Sequence, residues 1–196
     1  MAEPADAVGL ILPVWCAAAA RAALQALLGQ PHPALVQPLQ LRPGAEPQPV
    51  PIEAVAPLPD GSALAMARCD PGAAVLDLTR GLLVWAQVRW LEGPGPWLDL
   101  RAGAGVGVVQ GTGEVSVSGY ARDLLEWNLR PLLPADRRLA LELTIPEGRR
   151  LAARTSNAAF GVVDGLALIG TQATVQRSAA PEQLEAALAE LRRRTA

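Results

Sequence analysis

The side chains in this sequence that could take part in chemistry are restricted in kind. All of the basic residues except His32 are arginine, and lysine is absent. A chain without lysine cannot form a Schiff base and lacks the lysine with which a P-loop grips phosphate. With one histidine the chain cannot build a multi-histidine metal site, and a Ser-His-Asp triad would depend on His32 in its turn-like Gln-Pro-His-Pro setting. Any catalysis must therefore rely on carboxylates, arginines, hydroxyls, backbone groups or a bound cosubstrate.

A glycine-rich run follows the strand-like residues 97–101. Gly103, Gly105 and Gly107 alternate with small apolar residues, a pattern similar to the strand and loop that bind S-adenosylmethionine in doubly wound methyltransferases. That fold requires a helix directly after Gly107, whereas residues 108–117 predict a strand and a turn. Two interpretations stay open for the loop itself. Its N–H groups can cradle a carboxylate or cofactor, or its glycines can serve tight turns with positive φ.

Composition and charge limit the class of protein further. Apolar residues make up 51% of the 196, and the formal net charge is −2. The chain can therefore bury a core, and it offers no surface suited to nucleic acid. Cys16 and Cys69 do not suggest a disulfide scaffold, which favours a reducing cytoplasm. The apolar residues 8–28 follow two acidic residues and contain Arg21, unlike a signal peptide or a membrane span.

The apolar stretch near the start predicts a buried helix instead. Pro13 suits its first turn and Gly29 its end. The four alanines at 17–20 allow close packing against a sheet or a flat ligand. A second helix is predicted over residues 120–129, and an amphipathic third one over residues 181–194.

Strand patterns dominate the rest of the sequence. They predict strands over residues 35–41, 62–68, 82–91, 97–101 and 138–145, with shorter β-branched segments over 162–169 and 173–176. The turn at residues 93–96 predicts a hairpin between its two flanking strands. Because strands and helices do not alternate regularly, the predicted class is α+β. We expect a mixed, mostly antiparallel sheet packed by the alanine-rich N-terminal helix, a central helix and the C-terminal amphipathic helix.

Several segments, in order along the chain, resemble the CbiD family in its cyanobacterial form. Residues 154–171, Arg-Thr-Ser-Asn-Ala-Ala-Phe-Gly-Val-Val-Asp-Gly-Leu-Ala-Leu-Ile-Gly-Thr, are similar to the family's Thr-Phe-Asn-Pro-Arg-Leu-Gly-Ile-Val-Gly-Gly-Ile-Ser-Ile-Leu-Gly-Thr-Thr. Residues 77–81 resemble its Asp-Val-Thr-His-Gly, and residues 103–107 resemble its Gly-Gly-Glu-Gly-Val-Gly loop. Cys16 and the alanines after it match the N-terminal signature. The family's Thr-Lys-Pro-Gly and Pro-Arg-Arg motifs are absent, so no role is assigned within residues 108–130.

The resemblance implies an enzyme that methylates a corrin precursor. The implied reaction transfers a methyl group from S-adenosylmethionine to C1 of cobalt-precorrin-5B, giving cobalt-precorrin-6A in anaerobic cobalamin biosynthesis. Cobalt arrives within the substrate, so no metal ligand from the protein is implied. The expected partners are the macrocycle and either a second copy or a chain carrying a further domain. Neither nucleic acid nor membrane is expected.

The resemblance also sets the expected domain organisation. Residues 1–196 are expected to form a single CbiD-like N-terminal domain, with the family's second α/β domain absent from this chain. A second hypothesis is a non-catalytic corrinoid-binding or assembly module that needs that domain in trans. The doubly wound S-adenosylmethionine methyltransferase is a third.

The substrate's many carboxylates imply arginine forks in its pocket. Arg154, beside Thr155 and Asn157, and Arg101, beside the glycine loop, are the first candidates. The other candidates for binding substrate or cosubstrate are Asp77, Thr79, Gly103, Gly105, Gly107, Gly170 and Thr171. Each has a structural alternative: Asn157 can stabilise a tight turn, Asp77 and Thr79 can cap one, and the arginines can be solvated at strand ends. No catalytic residue is assigned.

Overall fold

The computed structural model of the chain describes residues 9–30, 34–74 and 77–175. His32 and the helix predicted over residues 181–194 lie outside the described residues. The described helices are α1 (Leu12–Leu27), α2 (Gly119–Leu129) and α3 (Gly148–Ala152), with 3-10 turns at Arg130–Leu132 and Asn157–Phe160. The strands are β1 (Val36–Leu39), β2 (Gln48–Pro51), β3 (Ala54–Pro57), β4 (Ala63–Arg68), β5 (Leu83–Leu91), β6 (Leu98–Ala102), β7 (Gly105–Val106), β8 (Val108–Val109), β9 (Arg138–Thr144), β10 (Val162–Val163) and β11 (Gly165–Leu166). The predicted α+β class is confirmed.

Helix α1 lies at the centre of the core. Pro13 occupies its first turn, and Gly29 follows its end with a φ of 80°, as predicted. The helix packs against β4 and β5. The four consecutive alanines at residues 17–20 are fully buried, and their lack of side-chain bulk lets the helix backbone approach the sheet closely. No helix of the described residues is long and apolar enough to cross a membrane.

Five strands form the main sheet in the order β3-β4-β5-β9-β6. Neighbouring strands are antiparallel except for β6, which runs parallel to β9. Alternate residues face the core: Ala65, Ala86 and Leu143 form one row across the sheet and are all buried. The next row, on the other face, contains Gln87 and Glu142. One face of the sheet is therefore apolar and the other is largely polar, as in many antiparallel sheets.

The strands on either side of the turn at residues 93–96 do not form the predicted hairpin. Both exist, as β5 and β6, but β9 lies between them. Arg138, the first residue of β9, donates its Nε to Pro96 O at 2.8 Å and its Nη1 to Glu92 O and Gly93 O at 3.1 and 3.0 Å. The turn thus passes over the end of β9. Turn chemistry is local and predicted the turn correctly, whereas strand pairing is decided by a segment far away in the sequence.

Two further features differ from the sequence-based expectation. Strands β2 and β3 in the proline-dense region were not predicted, and β1 pairs with β2 in a small separate sheet. Strand β8 follows Gly107 directly, where the doubly wound methyltransferase fold requires a helix. The doubly wound alternative is therefore wrong.

Both cysteines lie in the core, where their burial affects stability at high pH. Burial raises the pKa of Cys16 from 9.0 to about 12 and also raises the pKa of Cys69. Folding therefore strengthens proton binding by each thiol. The stability that this provides is fully present below about pH 9 and is lost as the pH rises towards the folded-state pKa, because only the unfolded chain can release the proton.

We accordingly expect the free energy of unfolding to be flat near neutral pH and to fall above about pH 9. The expected loss is roughly 1.4 kcal/mol per thiol by about pH 10. Urea denaturation at a series of fixed pH values measures it. Cys16→Ala is the matched control, since it should be less stable at neutral pH but should lose less stability between pH 8 and pH 10. An identical pH slope in the variant would contradict the assignment.

Candidate functional site

The glycine loop, residues 103–107, packs its backbone directly against two other segments. Gly105 has a φ of 78°, and a side chain there would meet Ile145 O and the backbone of Gly148. Gly165 pairs with Gly105 in the parallel β7–β11 register, and a side chain on Gly165 would meet the Gly105 carbonyl. Three chain segments therefore meet at three glycines, because only glycine leaves room for such close backbone contact.

The N–H groups of this loop are largely used within the protein. Gly103 N donates to Leu143 O at 2.7 Å, Val106 N donates to Gly103 O at 3.2 Å, and Gly107 N donates to Leu166 O at 2.8 Å. Donors that are already paired cannot cradle an anion. The arrangement favours the structural interpretation of Gly103, Gly105 and Gly107, which hold the neighbouring 149–166 segment in place.

Thr155 and Asn157 determine the conformation of that neighbouring segment. The Thr155 hydroxyl donates to Ala152 O at 2.8 Å at the end of α3 and accepts from Asn157 N at 3.3 Å. The buried Asn157 side chain donates its Nδ2 to Gly165 O at 3.2 Å. Asn157 thus fixes the 3-10 turn to β11, at the point where Gly165 contacts the glycine loop. The two segments with the strongest family resemblance, far apart in sequence, form one packed unit.

Residues 149–160, the arginine segment, expose three arginines and one aromatic ring, together with Ser156 and three alanines. Arg149 contacts Asp164 at 3.4 Å and Arg150 contacts Glu147 at 2.7 Å, all four side chains being at least 56% exposed. Within the described part of the chain, the Arg154 side chain makes no hydrogen bond or ion pair. Phe160 is 77% exposed. Arginine forks and an exposed ring suit a large flat ligand that carries carboxylates.

Sequence reasoning nominated Arg154 but missed Arg149, Arg150 and Phe160. A local signal existed for each. The two arginines directly follow the turn at residues 146–148, and Phe160, the one phenylalanine of the chain, precedes Gly161, which has a φ of 69°. These signals place the three residues beside tight turns, where binding residues are often found, but the exposure of Phe160 follows only from the packed fold.

Arg101, Asp77 and Thr79 lie elsewhere. Arg101 projects from β6 on the polar face of the sheet, where it contacts Asp99 at 2.6 Å. Asp77 Oδ1 accepts from both the N–H and the hydroxyl of Thr79, each at 2.7 Å, in a turn that leads into β5. Among the described residues, no hydrogen bond or ion pair links these three residues to the arginine segment.

Thr171 lies at a cleft, and Gly170 precedes it in the chain. The Ser118 hydroxyl donates to Gly170 O at 3.0 Å, and a side chain on Gly170 would meet Ile11. Thr171 lines a cleft of about 490 Å³. The other residues that line it are Leu41, Arg42, Ala45, Glu46, Gln48, Tyr120, Gln172, Ala173 and Thr174. The cleft offers a cation, a carboxylate, hydroxyls and apolar surface within one volume.

Among the described residues, no group of three or more histidine, cysteine or acidic side chains is arranged to hold an ion. Cys16 and Cys69 are buried, and their raised pKa keeps both thiols protonated near neutral pH. A protonated, buried thiol is neither a nucleophile nor a ligand. These residues do not contribute to a reactive centre.

Comparison with known proteins gives consistent matches. The family model described as CbiD matches residues 2–177. The cobalt-precorrin-5B C(1)-methyltransferase of Synechococcus sp. (strain CC9605) is 58% identical over 96% of the chain, and that of Parasynechococcus marenigrum (strain WH8102) is 56% identical over 92%. The match covers 50% of each relative, so the chain spans about half of their length.

A solved structure shares the fold. The crystal structure of cobalamin biosynthesis protein (cbiD) from Archaeoglobus fulgidus aligns with a TM-score of 0.69, covering 90% of this chain and 56% of that one. The sequence identity is 23%, so this likeness concerns the fold alone. The α+β arrangement described above therefore occurs in an experimentally determined structure.

Proposed function

Because the chain belongs to the CbiD family, we propose that it forms part of a cobalt-precorrin-5B C1-methyltransferase of anaerobic cobalamin biosynthesis. The proposed reaction uses S-adenosylmethionine as methyl donor and gives cobalt-precorrin-6A. We place it in the cytoplasm, in keeping with the two free cysteines. Since the chain spans about half the length of its curated relatives, we assign it one part of the enzyme's function, the binding of the macrocycle.

One observation carries this proposal: the arginine segment, whose residues 154–160 belong to the strongest family resemblance, displays three exposed arginines. The substrate is a macrocycle with many carboxylate side chains. Guanidinium groups bind carboxylates through two parallel hydrogen bonds, and these charge-assisted bonds are among the strongest available to a protein. Arg154 is the first choice for such a contact because its side chain has no partner among the described residues. Phe160 offers an apolar surface against the ring.

The reaction requires little acid–base chemistry from the protein. When bound, S-adenosylmethionine supplies a methyl group that its sulfonium already activates. The residues of the chain then have to hold C1 of the macrocycle in line with that methyl group and to exclude water, which can lower the barrier by several kcal/mol without a strong base. A chain without lysine is compatible with this demand, and so is the absence of a buried catalytic carboxylate among the described residues.

We propose the cleft lined by Thr171 for the cosubstrate. The residues around it fit the chemistry of the molecule: Arg42 can pair with the methionine carboxylate, Glu46 can accept from the ribose hydroxyls, and Tyr120 offers an apolar ring edge. Its volume of about 490 Å³ lies in the range typical of small-molecule sites. Thr171 would then contribute to cosubstrate binding, as the resemblance implies, whereas Gly170 packs against Ile11 outside the cleft lining.

The second candidate function is a corrinoid-binding or assembly module without activity of its own. The observation that favours it is the coverage, since the chain spans about half of each curated relative. In this case the arginine segment still binds the macrocycle, but methyl transfer needs residues that another chain or segment supplies.

The substitution Arg154→Gln tests the proposed binding site. We expect it to weaken binding of cobalt-precorrin-5B by about tenfold, the loss of one charge-assisted contact, as measured by titrating the macrocycle's absorbance. Arg68→Gln is the control. It removes an exposed arginine of β4 that pairs with Glu53, and it should leave the affinity unchanged. Equal affinities for Arg154→Gln and the original chain would contradict the assignment of Arg154.

A second measurement separates the two candidate functions. The chain is incubated with S-adenosylmethionine and cobalt-precorrin-5B, and mass spectrometry detects added methyl groups. Methyl transfer by the chain alone excludes the binding module, whereas binding without transfer favours it. Failure of both the folded chain and a full-length relative to bind the macrocycle would overturn the proposed function.

A further inference from the structure

Strand β6 forms one edge of the main sheet, and no strand of the described residues pairs with its outer side. Trp97 O accepts from Leu139 N, and Gly103 N donates to Leu143 O, so the odd-numbered residues direct their backbone groups towards β9. In a parallel ladder the alternate residues then point the other way. The N–H and C=O groups of Leu98, Leu100 and Ala102 therefore face outwards, and no described residue pairs with them.

The two edges of the sheet differ in their protection. Strand β3, at the opposite edge, ends in Pro57, and proline is one of the devices that prevent an edge from pairing with another chain. Strand β6 contains no proline and no bulge. A cleft of about 510 Å³ lies beside this strand and is lined by residues 96–100 and by Arg122, Leu125 and Glu126 of α2.

The charges on β6 are complementary to those of a second β6. Asp99 and Arg101 lie on the same face of the strand and are 38–39% exposed. If a second β6 runs antiparallel with its centre at Leu100, Asp99 of each copy lies opposite Arg101 of the other. Leu98 lies opposite Ala102 and Leu100 opposite Leu100, so all of the outward backbone groups pair. A parallel copy in register would instead place like charges opposite each other.

We propose that two copies of this chain associate through antiparallel pairing of their β6 strands, centred on Leu100, with Asp99 of each copy facing Arg101 of the other. The contact has twofold symmetry and closes on itself. It joins two five-stranded sheets into one and removes the exposed edge. The inference is independent of the reaction, and it gives Arg101 a role in association.

The test uses sedimentation velocity over a wide range of protein concentration. The original chain should reach a dimer. Asp99→Arg and Arg101→Asp each place like charges opposite each other and should weaken dimerisation by about tenfold or more, from the loss of two cross-strand pairs and the new repulsion. The doubly substituted chain, Asp99→Arg with Arg101→Asp, restores the opposite charges and should dimerise again.

Mixing the two single variants provides the sharpest measurement. A homodimer of either single variant places like charges opposite each other. A heterodimer of the two variants places the arginines of one strand opposite the aspartates of the other. The mixture should therefore dimerise where each variant alone is monomeric. Circular dichroism confirms that each variant is folded. An original chain that stays monomeric at all concentrations overturns the proposal, and so does a dimer that is unaffected by the single substitutions or not recovered in the mixture. If β6 instead pairs with a strand of another protein, the original chain should stay monomeric at all concentrations.

Discussion

Replacing Gly105 by alanine is expected to destabilise the protein by about 3–5 kcal/mol, at the upper end of single-substitution effects. Two causes act together. The φ of 78° at Gly105 is in the left-handed region, which costs a residue with a Cβ about 1–2 kcal/mol. The added carbon would also meet Ile145 O and the backbone of Gly148, and backbone atoms cannot turn aside as a flexible side chain can.

Gly113→Ala is the matched control for that substitution. Gly113 has a φ of 72°, close to that of Gly105, but a side chain there meets nothing within 4 Å. We therefore expect only the conformational cost of about 1–2 kcal/mol. Urea denaturation of both variants measures the difference, which isolates the backbone contact. Equal losses of stability at the two positions would contradict close backbone contact among Gly105, Gly148 and Gly165.

Asn128 is expected to give the second large effect. Its buried side chain accepts from Gln40 N at 2.8 Å and donates to Gln40 O at 2.9 Å and to Leu124 O at 2.8 Å. Its own carbonyl accepts from Arg21 Nη1 at 2.9 Å. Asn128 thus connects α2 with the segment that follows β1 and with α1. Removing its amide leaves the two partly buried Gln40 backbone groups without these partners.

Asn128→Ala should therefore cost about 3 kcal/mol, since it removes three side-chain hydrogen bonds that contribute about 1 kcal/mol each. Asn157→Ala provides the comparison, because Asn157 is also buried but makes a single side-chain bond to Gly165. The smaller loss of about 1–2 kcal/mol is expected there. Thermal and urea unfolding of both variants measure the ranking. A smaller loss at Asn128 than at Asn157 would contradict the proposed network.

The features that follow from local sequence were predictable. Helix α1 was predicted from Pro13, Gly29 and the apolar residues between them, and β5 and β9 were predicted from alternation and β-branched content. The partner of each strand was not predictable in the same way. Residues 93–96 turn as expected, but β9 takes the place beside β5 that a hairpin would give to β6. Turns depend on a few adjacent residues, whereas pairing depends on which distant segment buries the most apolar surface.

In the candidate site, too, local features were predictable from the sequence and features set by distant segments were not. The sequence nominated Arg154 and Asn157 by residue type, and the structure places them in one unit with the glycine loop. The sequence could not show that the backbone N–H groups of Gly103 and Gly107 are already paired, because their partners come from β9 and β11. It also could not show that Phe160 projects into solvent. Exposure is a property of the packed fold and is not encoded in any short motif.

The place of β9 in the sheet has a consequence for how the protein is made. Strands β5 and β6 leave the ribosome well before residues 138–144, yet those residues lie between them. A nascent chain that has not reached residue 138 holds both strands with open edges and cannot complete the sheet. Closing so long a loop is entropically costly and slow, and open edges invite aggregation. Synthesis of this protein thus includes an interval in which β5 and β6 are both made but β9, the strand that lies between them, is not.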